Sequence, residues 1–286
     1  MERPMSFELI QQNRCQGGYW KQFRHDSETC GCEMVFSVYV PEIATEVVRN
    51  LPGLFWLSGL TCSDRNFVDK AHVEARANDL GMIIVVPDTS PRGVNLPGEG
   101  DSYDFGSAAG FYLDATESPW SAHYKMYSYI TSELYELVLS RFPIDHERLG
   151  IFGHSMGGHG ALTIALKNPD KFRSVSAFAP ICAPSQCPWG QKALMGYLGD
   201  HPPAWRRYDT CALITDGHRV DSILVDQGMD DQFLGEQLMP EALEAVCVEK
   251  GIELTLNRRE GYDHSYFFIS TFIEEHLRYH YQQLNG

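Results

Sequence analysis

A chain of 286 residues, 43% hydrophobic and 21% charged, has the balance of a globular protein and the length to bury a sizeable core. Its 38 acidic side chains against 23 basic ones leave a formal charge of −15, which opposes non-specific attachment to nucleic acid or to an anionic membrane. No stretch approaches the roughly 18 uninterrupted apolar residues that a membrane-spanning helix needs.

Residues 1–14 are polar and carry no apolar run of the kind a signal peptide has, so a cytoplasmic location is expected. The eight cysteines are spaced irregularly, which favours free thiols over a disulfide framework. Cys30 and Cys32 form C-x-C, and Cys182 and Cys187 lie five apart, but neither pair has a matching second half or paired histidines. No metal site is expected.

In chain order, residues 34–40 (MVFSVYV) alternate apolar and polar and stop at Pro41, as a half-buried strand does. Residues 54–57 (LFWL) form a short apolar run ending at Ser58-Gly59. Residues 68–80 carry a helical pattern with Gly81 as its C-cap, and 82–86 (MIIVV) read as a fully apolar strand. Strand and helix then alternate. Helices are expected over 127–141, 156–167, 240–250 and 266–281, and strands over 149–152, 175–178, 222–226 and 252–256. Apolar strands alternating with helices imply a mostly parallel central sheet with helices on both faces, in one domain spanning 1–286. Active sites in such sheets lie at the carboxyl ends of the strands. Two stretches, 90–120 and 181–221, break the alternation and are rich in Pro, Gly and aromatics. They are expected to be irregular walls or a partial lid over the site.

Gly153-His154-Ser155-Met156-Gly157 matches G-x-S-x-G between an expected strand and an expected helix, the context of a nucleophile elbow in the α/β-hydrolase fold. Ser155 is therefore the expected nucleophile. A serine hydroxyl needs a base, and the base needs an acid to orient it. In this fold the order along the chain is Ser, acid, His. The strand at 222–226 ends at Asp226, and Asp230 and Asp231 project from the loop beyond it; position alone does not separate those two. His264, in Gly261-Tyr262-Asp263-His264-Ser265, occupies the last strand-to-helix loop and is the expected base. His276 and His280 fall too far along the next helix, and His154 and His159 are expected to serve packing and local hydrogen bonds. The tetrahedral intermediate needs two N–H donors. One should be the backbone N–H of Met156, and the other should come from the loop after 54–57, with Leu60 preferred over Gly59 and Thr61.

The chain closely resembles the S-formylglutathione hydrolase family, also called esterase D. The segments that carry the likeness are 57–67 (LSGLTCSDRNF), 87–93 (PDTSPRG), 109–120 (AGFYLDATESPW), 152–162 (FGHSMGGHGAL), 176–183 (SAFAPICA), 187–190 (CPWG), 226–234 (DQGMDDQFL) and 261–269 (GYDHSYFFI). The resemblance implies the α/β-hydrolase fold and a triad of Ser155, Asp231 and His264. Asp231 is chosen because the family's acid stands two before the Phe of D-x-F-L. It also implies oxyanion donors at Leu60 and Met156, and a thiol at Cys62 beside them that is associated with sensitivity to thiol reagents. Arg65 and Ala109 depart from the residues frequent at their positions. The reaction implied is hydrolysis of the thioester S-formylglutathione to glutathione and formate, in formaldehyde detoxification, without cofactor or metal. A homodimer is a further implication. Because a formyl group is tiny, the acyl pocket should be tight, with Phe111, Tyr112, Trp120 and Trp189 as expected walls. Lys70, Lys125 and Arg65 are candidate partners for the glutathione carboxylates. The rival readings are a general short-chain carboxylesterase with the same triad, an acyltransferase of related fold, and a non-catalytic binding protein on a hydrolase scaffold.

Overall fold

The computed structural model describes residues 7–45 and 50–286. Its nine strands are β1 (Phe7–Cys15), β2 (Gly18–Ser27), β3 (Cys32–Val40), β4 (Leu51–Leu57), β5 (Ile83–Pro87), β6 (Ile144–His154), β7 (Ser174–Phe178), β8 (Ser222–Gly228) and β9 (Glu253–Arg259). They form one sheet in the order β1-β2-β3-β5-β4-β6-β7-β8-β9. β1, β2, β3 and β5 pair antiparallel in turn, while every pairing from β5 through β4 to β9 is parallel. The β1–β2 hairpin turns at Gln16-Gly17, both at positive φ (49° and 82°), the geometry that matches the twist of its strands.

The helices are α1 (Asp64–Lys70), α2 (Glu74–Leu80), α3 (Met126–Ser128), α4 (Tyr135–Arg141), α5 (Met156–Lys167), α6 (Pro188–Leu198), α7 (Pro202–Arg206), α8 (Thr210–Thr215), α9 (Pro240–Lys250) and α10 (Tyr266–Asn285). Alternation along β7 separates the two faces of the sheet. Ser174 and Ser176 point to α10, where they meet the imidazole of His280 at 2.7 and 2.8 Å. Ala177, between Ser176 and Phe178, faces α5 at Gly158. α2 packs with α10, and α8 packs with both α5 and α9. β4, β5 and β7 are buried at every residue, so their continuous apolar runs follow from cover on both faces.

The mostly parallel sheet with flanking helices is as the alternation implies. Two local expectations need correction. The helix expected over 68–80 is two short helices, α1 and α2, because His72 between them adopts φ +56°. α1 also starts earlier, at a capping box in which Ser63 and Asn66 bond each other's backbone N–H groups. The segment 181–221 is largely helical, not irregular: Pro188 and Pro202, which read as breakers, stand in the first turns of α6 and α7, where a missing N–H costs nothing. Over 90–120 the chain does run without long elements, through turns and isolated bridges, to a short 3-10 turn that begins at Trp120.

Candidate active site

β6 runs into α5 through Ser155, which alone turns the chain, at φ 58° and ψ −119°. That conformation is sterically costly for a residue with a Cβ and is held by its surroundings. The Ser155 N–H donates to Phe178 O on β7 at 2.9 Å, and its carbonyl accepts from His159 and Ile181. The flanking glycines are required by contact. A Cβ on Gly157 would sit 1.9 Å from Leu57 O, and one on Gly153 would sit 2.3 Å from Gly157 O.

Ser155 opens onto a cleft of about 360 Å³ at the carboxyl end of the sheet. His264, from the loop between β9 and α10, lines the same cleft. Its Nδ1 lies 2.5 Å from Asp231 Oδ2, and the Asp231 carboxylate is shut off from solvent. Asp231 Oδ1 also accepts the Phe233 N–H at 2.8 Å, which fixes the carboxylate plane. Asp230 is exposed and anchors its loop through an N–H to Tyr262 O. Of the two, Asp231 meets His264 and Asp230 does not. Among the described residues no hydrogen bond joins the Ser155 hydroxyl to His264; in unliganded enzymes such bonds are often long and tighten around substrate.

Asp226 is tied into the sheet instead. It takes hydrogen bonds from Asn257 at 2.7 Å and Arg259 at 2.8 Å, with His276 at 3.7 Å. Burial works to raise its pKa, but these partners outweigh burial and hold it below the usual carboxylate range. His276 and His280 are fully buried on α10 and bonded to Ser176 and Ser174.

On the oxyanion side, the Thr61 N–H is committed to Ala108 O at 3.1 Å, which removes Thr61 from the alternatives to Leu60. The Leu60 N–H has no partner among the described residues, and Leu60 lines the cleft beside Gly59. Met156 is the first residue of α5, where an N–H has no acceptor within the helix. Cys62 lies on the same wall. Burial pushes its thiol up to about 11 against the charges of Lys70 and Arg92, so it is a neutral thiol at pH 7.

Of the four aromatic walls expected, only Trp189 lines the cleft, where its indole N–H reaches Tyr103 OH at 3.1 Å. Phe111, Tyr112 and Trp120 are buried beneath the surface. The Phe111 carbonyl takes a hydrogen bond from His159, Tyr112 OH donates to Ser58 O at 2.7 Å, and Trp120 packs on Phe105 and Tyr197. Their work is to hold the loop 90–120 against the elbow. Sequence reasoning missed Asn66, Tyr103, Gln232, Phe233 and Tyr266 as lining residues. Phe233 had a signal, since it lies in the segment 226–234; Tyr103 had none. His154 packs, as expected, but does so at the cleft wall, with its ring centroid 4.3 Å from that of His264.

Among the described residues the eight cysteines are free, no three His, Cys, Asp or Glu side chains gather as metal ligands would, and no helix is long and apolar enough to cross a membrane.

A family described as "Putative esterase" matches residues 27–279. Mouse S-formylglutathione hydrolase is 52% identical over 285 residues, covering 99% of this chain and all of that protein. The bovine enzyme of the same name is 50% identical over the same span. The solved structure of an S-formylglutathione hydrolase from Agrobacterium tumefaciens superposes with a TM-score of 0.94 at 51% identity, over 96% of this chain and 99% of that one. FphF, a fluorophosphonate-binding serine hydrolase of Staphylococcus aureus, shares the fold at 18% identity, with a TM-score of 0.73. With more than half its residues identical to the mouse enzyme along its whole length, the chain belongs to the S-formylglutathione hydrolases of the esterase family.

Proposed function

We propose that the protein hydrolyses the thioester S-formylglutathione to glutathione and formate through a formyl ester on Ser155. The observation that carries this reading is the contact of 2.5 Å between His264 Nδ1 and Asp231 Oδ2, at the cleft that Ser155 opens onto. The full-length identity to S-formylglutathione hydrolases supplies the substrate, and with it a place in formaldehyde detoxification.

In the first half-reaction Ser155 Oγ attacks the formyl carbon while His264 Nε2 takes the hydroxyl proton. Asp231 keeps Nδ1 protonated and turned inward, and stabilises the imidazolium. The N–H groups of Leu60 and Met156 receive the oxyanion. The C–S bond then breaks. The imidazolium gives its proton to the departing sulfur, which frees His264 to act as base again; a thiol with an ordinary pKa of about 8.5 leaves far more readily than an alcohol, so this donation need not run ahead of C–S cleavage as it must in ester cleavage. In the second half-reaction water attacks the formyl ester, His264 takes its proton, and formate leaves as Ser155 regains a proton. No metal or cofactor enters either step.

Initial rates on S-formylglutathione and p-nitrophenyl acetate test the substrate. A kcat/KM orders of magnitude higher for the thioester supports the reading. Equal values, or a preference for the ester, make the protein a general short-chain carboxylesterase with the same triad.

A further inference from the structure

Tyr266 forms part of the wall of the Ser155 cleft. Ser265 and Tyr266 are shared with a second depression of about 510 Å³, completed by Asp69, Lys70, His72, Phe267 and Ser270. α1 links the two. Asn66 lines the cleft, and Lys70 stands four residues later, on the same face of the helix one turn along.

The cations around the cleft differ in their commitments. Arg92 is held by Asp88, with Nε to Oδ2 at 3.1 Å, and by Cys62 O at 2.7 Å. Lys192 is paired with Asp104, and Arg65 with Asp69. Lys125 lines neither depression; its backbone bridges to Asp114. Lys70 has no carboxylate within ion-pair distance among the described residues. It is exposed, with its ammonium 5.7 Å from the centre of the Tyr266 ring. Because Arg65 takes up Asp69, Lys70 is the uncompensated charge of the groove, in a chain whose net charge of −15 otherwise repels anions.

We propose that this groove is a subsite for the isolated carboxylate of the substrate's thiol half, the glycyl carboxylate of S-formylglutathione, with Lys70 as its counter-ion. This rests on the reading of the reaction given above. The formyl carbon must reach Ser155, so the peptide arm leaves the cleft through its mouth, and its carboxylates end several bonds from the sulfur. The γ-glutamyl carboxylate carries its own ammonium beside it, whereas the glycyl one does not. A lone lysine without a neighbouring free acid complements the glycyl end. The apolar surface of Tyr266 and Phe267 lies along the way. The pair is partly exposed, so its contribution is modest and falls with salt.

The test uses S-methylglutathione, which cannot be hydrolysed, as an inhibitor of p-nitrophenyl acetate hydrolysis. Wild type, Lys70→Gln and Lys70→Glu are compared, with the glycyl ethyl ester of S-methylglutathione as a second probe. The subsite predicts that Ki rises about fivefold in Lys70→Gln and further in Lys70→Glu, as loss of one partly exposed charge contact should. The glycyl ester should bind all three proteins alike. A Ki that ignores Lys70, a shift shared by the ester, or no inhibition of wild type would each overturn the subsite. If S-formylglutathione is a poor substrate while Ki still depends on Lys70, the reaction assigned above fails and the subsite stands. If S-formylglutathione turns over rapidly and Ki ignores Lys70, the subsite alone fails.

Discussion

The imidazoles of His154 and His264 stand 4.3 Å apart, centroid to centroid, with their planes tilted by 45°. His154 is almost wholly buried, and its Nε2 has no hydrogen-bond partner among the described residues. Burial holds its pKa well below the ordinary histidine value, and the neighbouring His264 acts in the same sense. His154 therefore stays neutral and stands as a wall against the His264 imidazole. His154→Phe should keep most of the activity. His154→Ala leaves His264 unsupported and should lower kcat by roughly tenfold to a hundredfold, the scale of a small misplacement of a reacting group. Steady-state kinetics on protein whose folding is verified by circular dichroism checks this; full kcat in the alanine variant would remove the positioning role.

The two aspartates of the loop after β8 give a direct contrast. Asp231→Asn removes the carboxylate that fixes the His264 tautomer and should lower kcat by about 10⁴, as loss of the triad acid does elsewhere. Asp230→Asn changes an exposed side chain and should stay near wild type. Parallel kcat measurements on the two variants suffice, and equal losses would contradict the assignment.

Buried histidines set the acid limit of stability. His159 is lowered from 6.5 to about 4, by burial offset in part by its bond to the Phe111 carbonyl. Burial lowers His25, His154, His276 and His280 as well. In each case the unfolded chain binds a proton at a pH where the folded chain does not. Stability is thus full above pH 6.5 and falls as the pH drops through the window down to about 4, where His159 is protonated in both states. His159 alone accounts for a loss on the order of 3 kcal/mol across that window. Asp226, held low by its partners, weakens the fold only at still lower pH. Urea midpoints at pH 7 and pH 5 should differ clearly in wild type and by less in His159→Gln. A midpoint independent of pH would refute the linkage.

Cys62 is a thiol in an apolar wall, not an activated thiolate. With its pKa raised to about 11 by burial, its alkylation by iodoacetamide should be slow at pH 7 and should rise about tenfold per pH unit through pH 9. Mass spectrometry of the modified peptide follows the rate. A plateau below pH 9 would mean that the thiolate is stabilised in a way this geometry does not provide.

The strands and helices that the sequence reveals are those whose burial is simple. β4, β5 and β7 are covered on both faces and read as unbroken apolar runs, and α5 and α9 match the expected spans, 156–167 and 240–250. β1 escapes notice because it is an edge strand, exposed along most of its length, so no alternation marks it. α6 and α7 were hidden by prolines that sit where a helix tolerates them. At the site, the motifs point to Ser155, Asp231 and His264; Ser155 and His264 line one cleft, and Asp231 meets His264 behind it. The cleft walls were not legible. Phe111, Tyr112 and Tyr103 belong to one loop of similar composition, and which of them turns inward depends on backbone conformation, such as the positive φ of Phe111 and Tyr112, that composition does not encode.

The most direct test of the whole account is turnover of S-formylglutathione by wild type and Ser155→Ala under identical conditions. Rapid release of glutathione and formate by wild type, with kcat lower by roughly 10⁶ in a folded Ser155→Ala, is the result the account predicts. A folded Ser155→Ala that still turns the thioester over at a rate near wild type would contradict it.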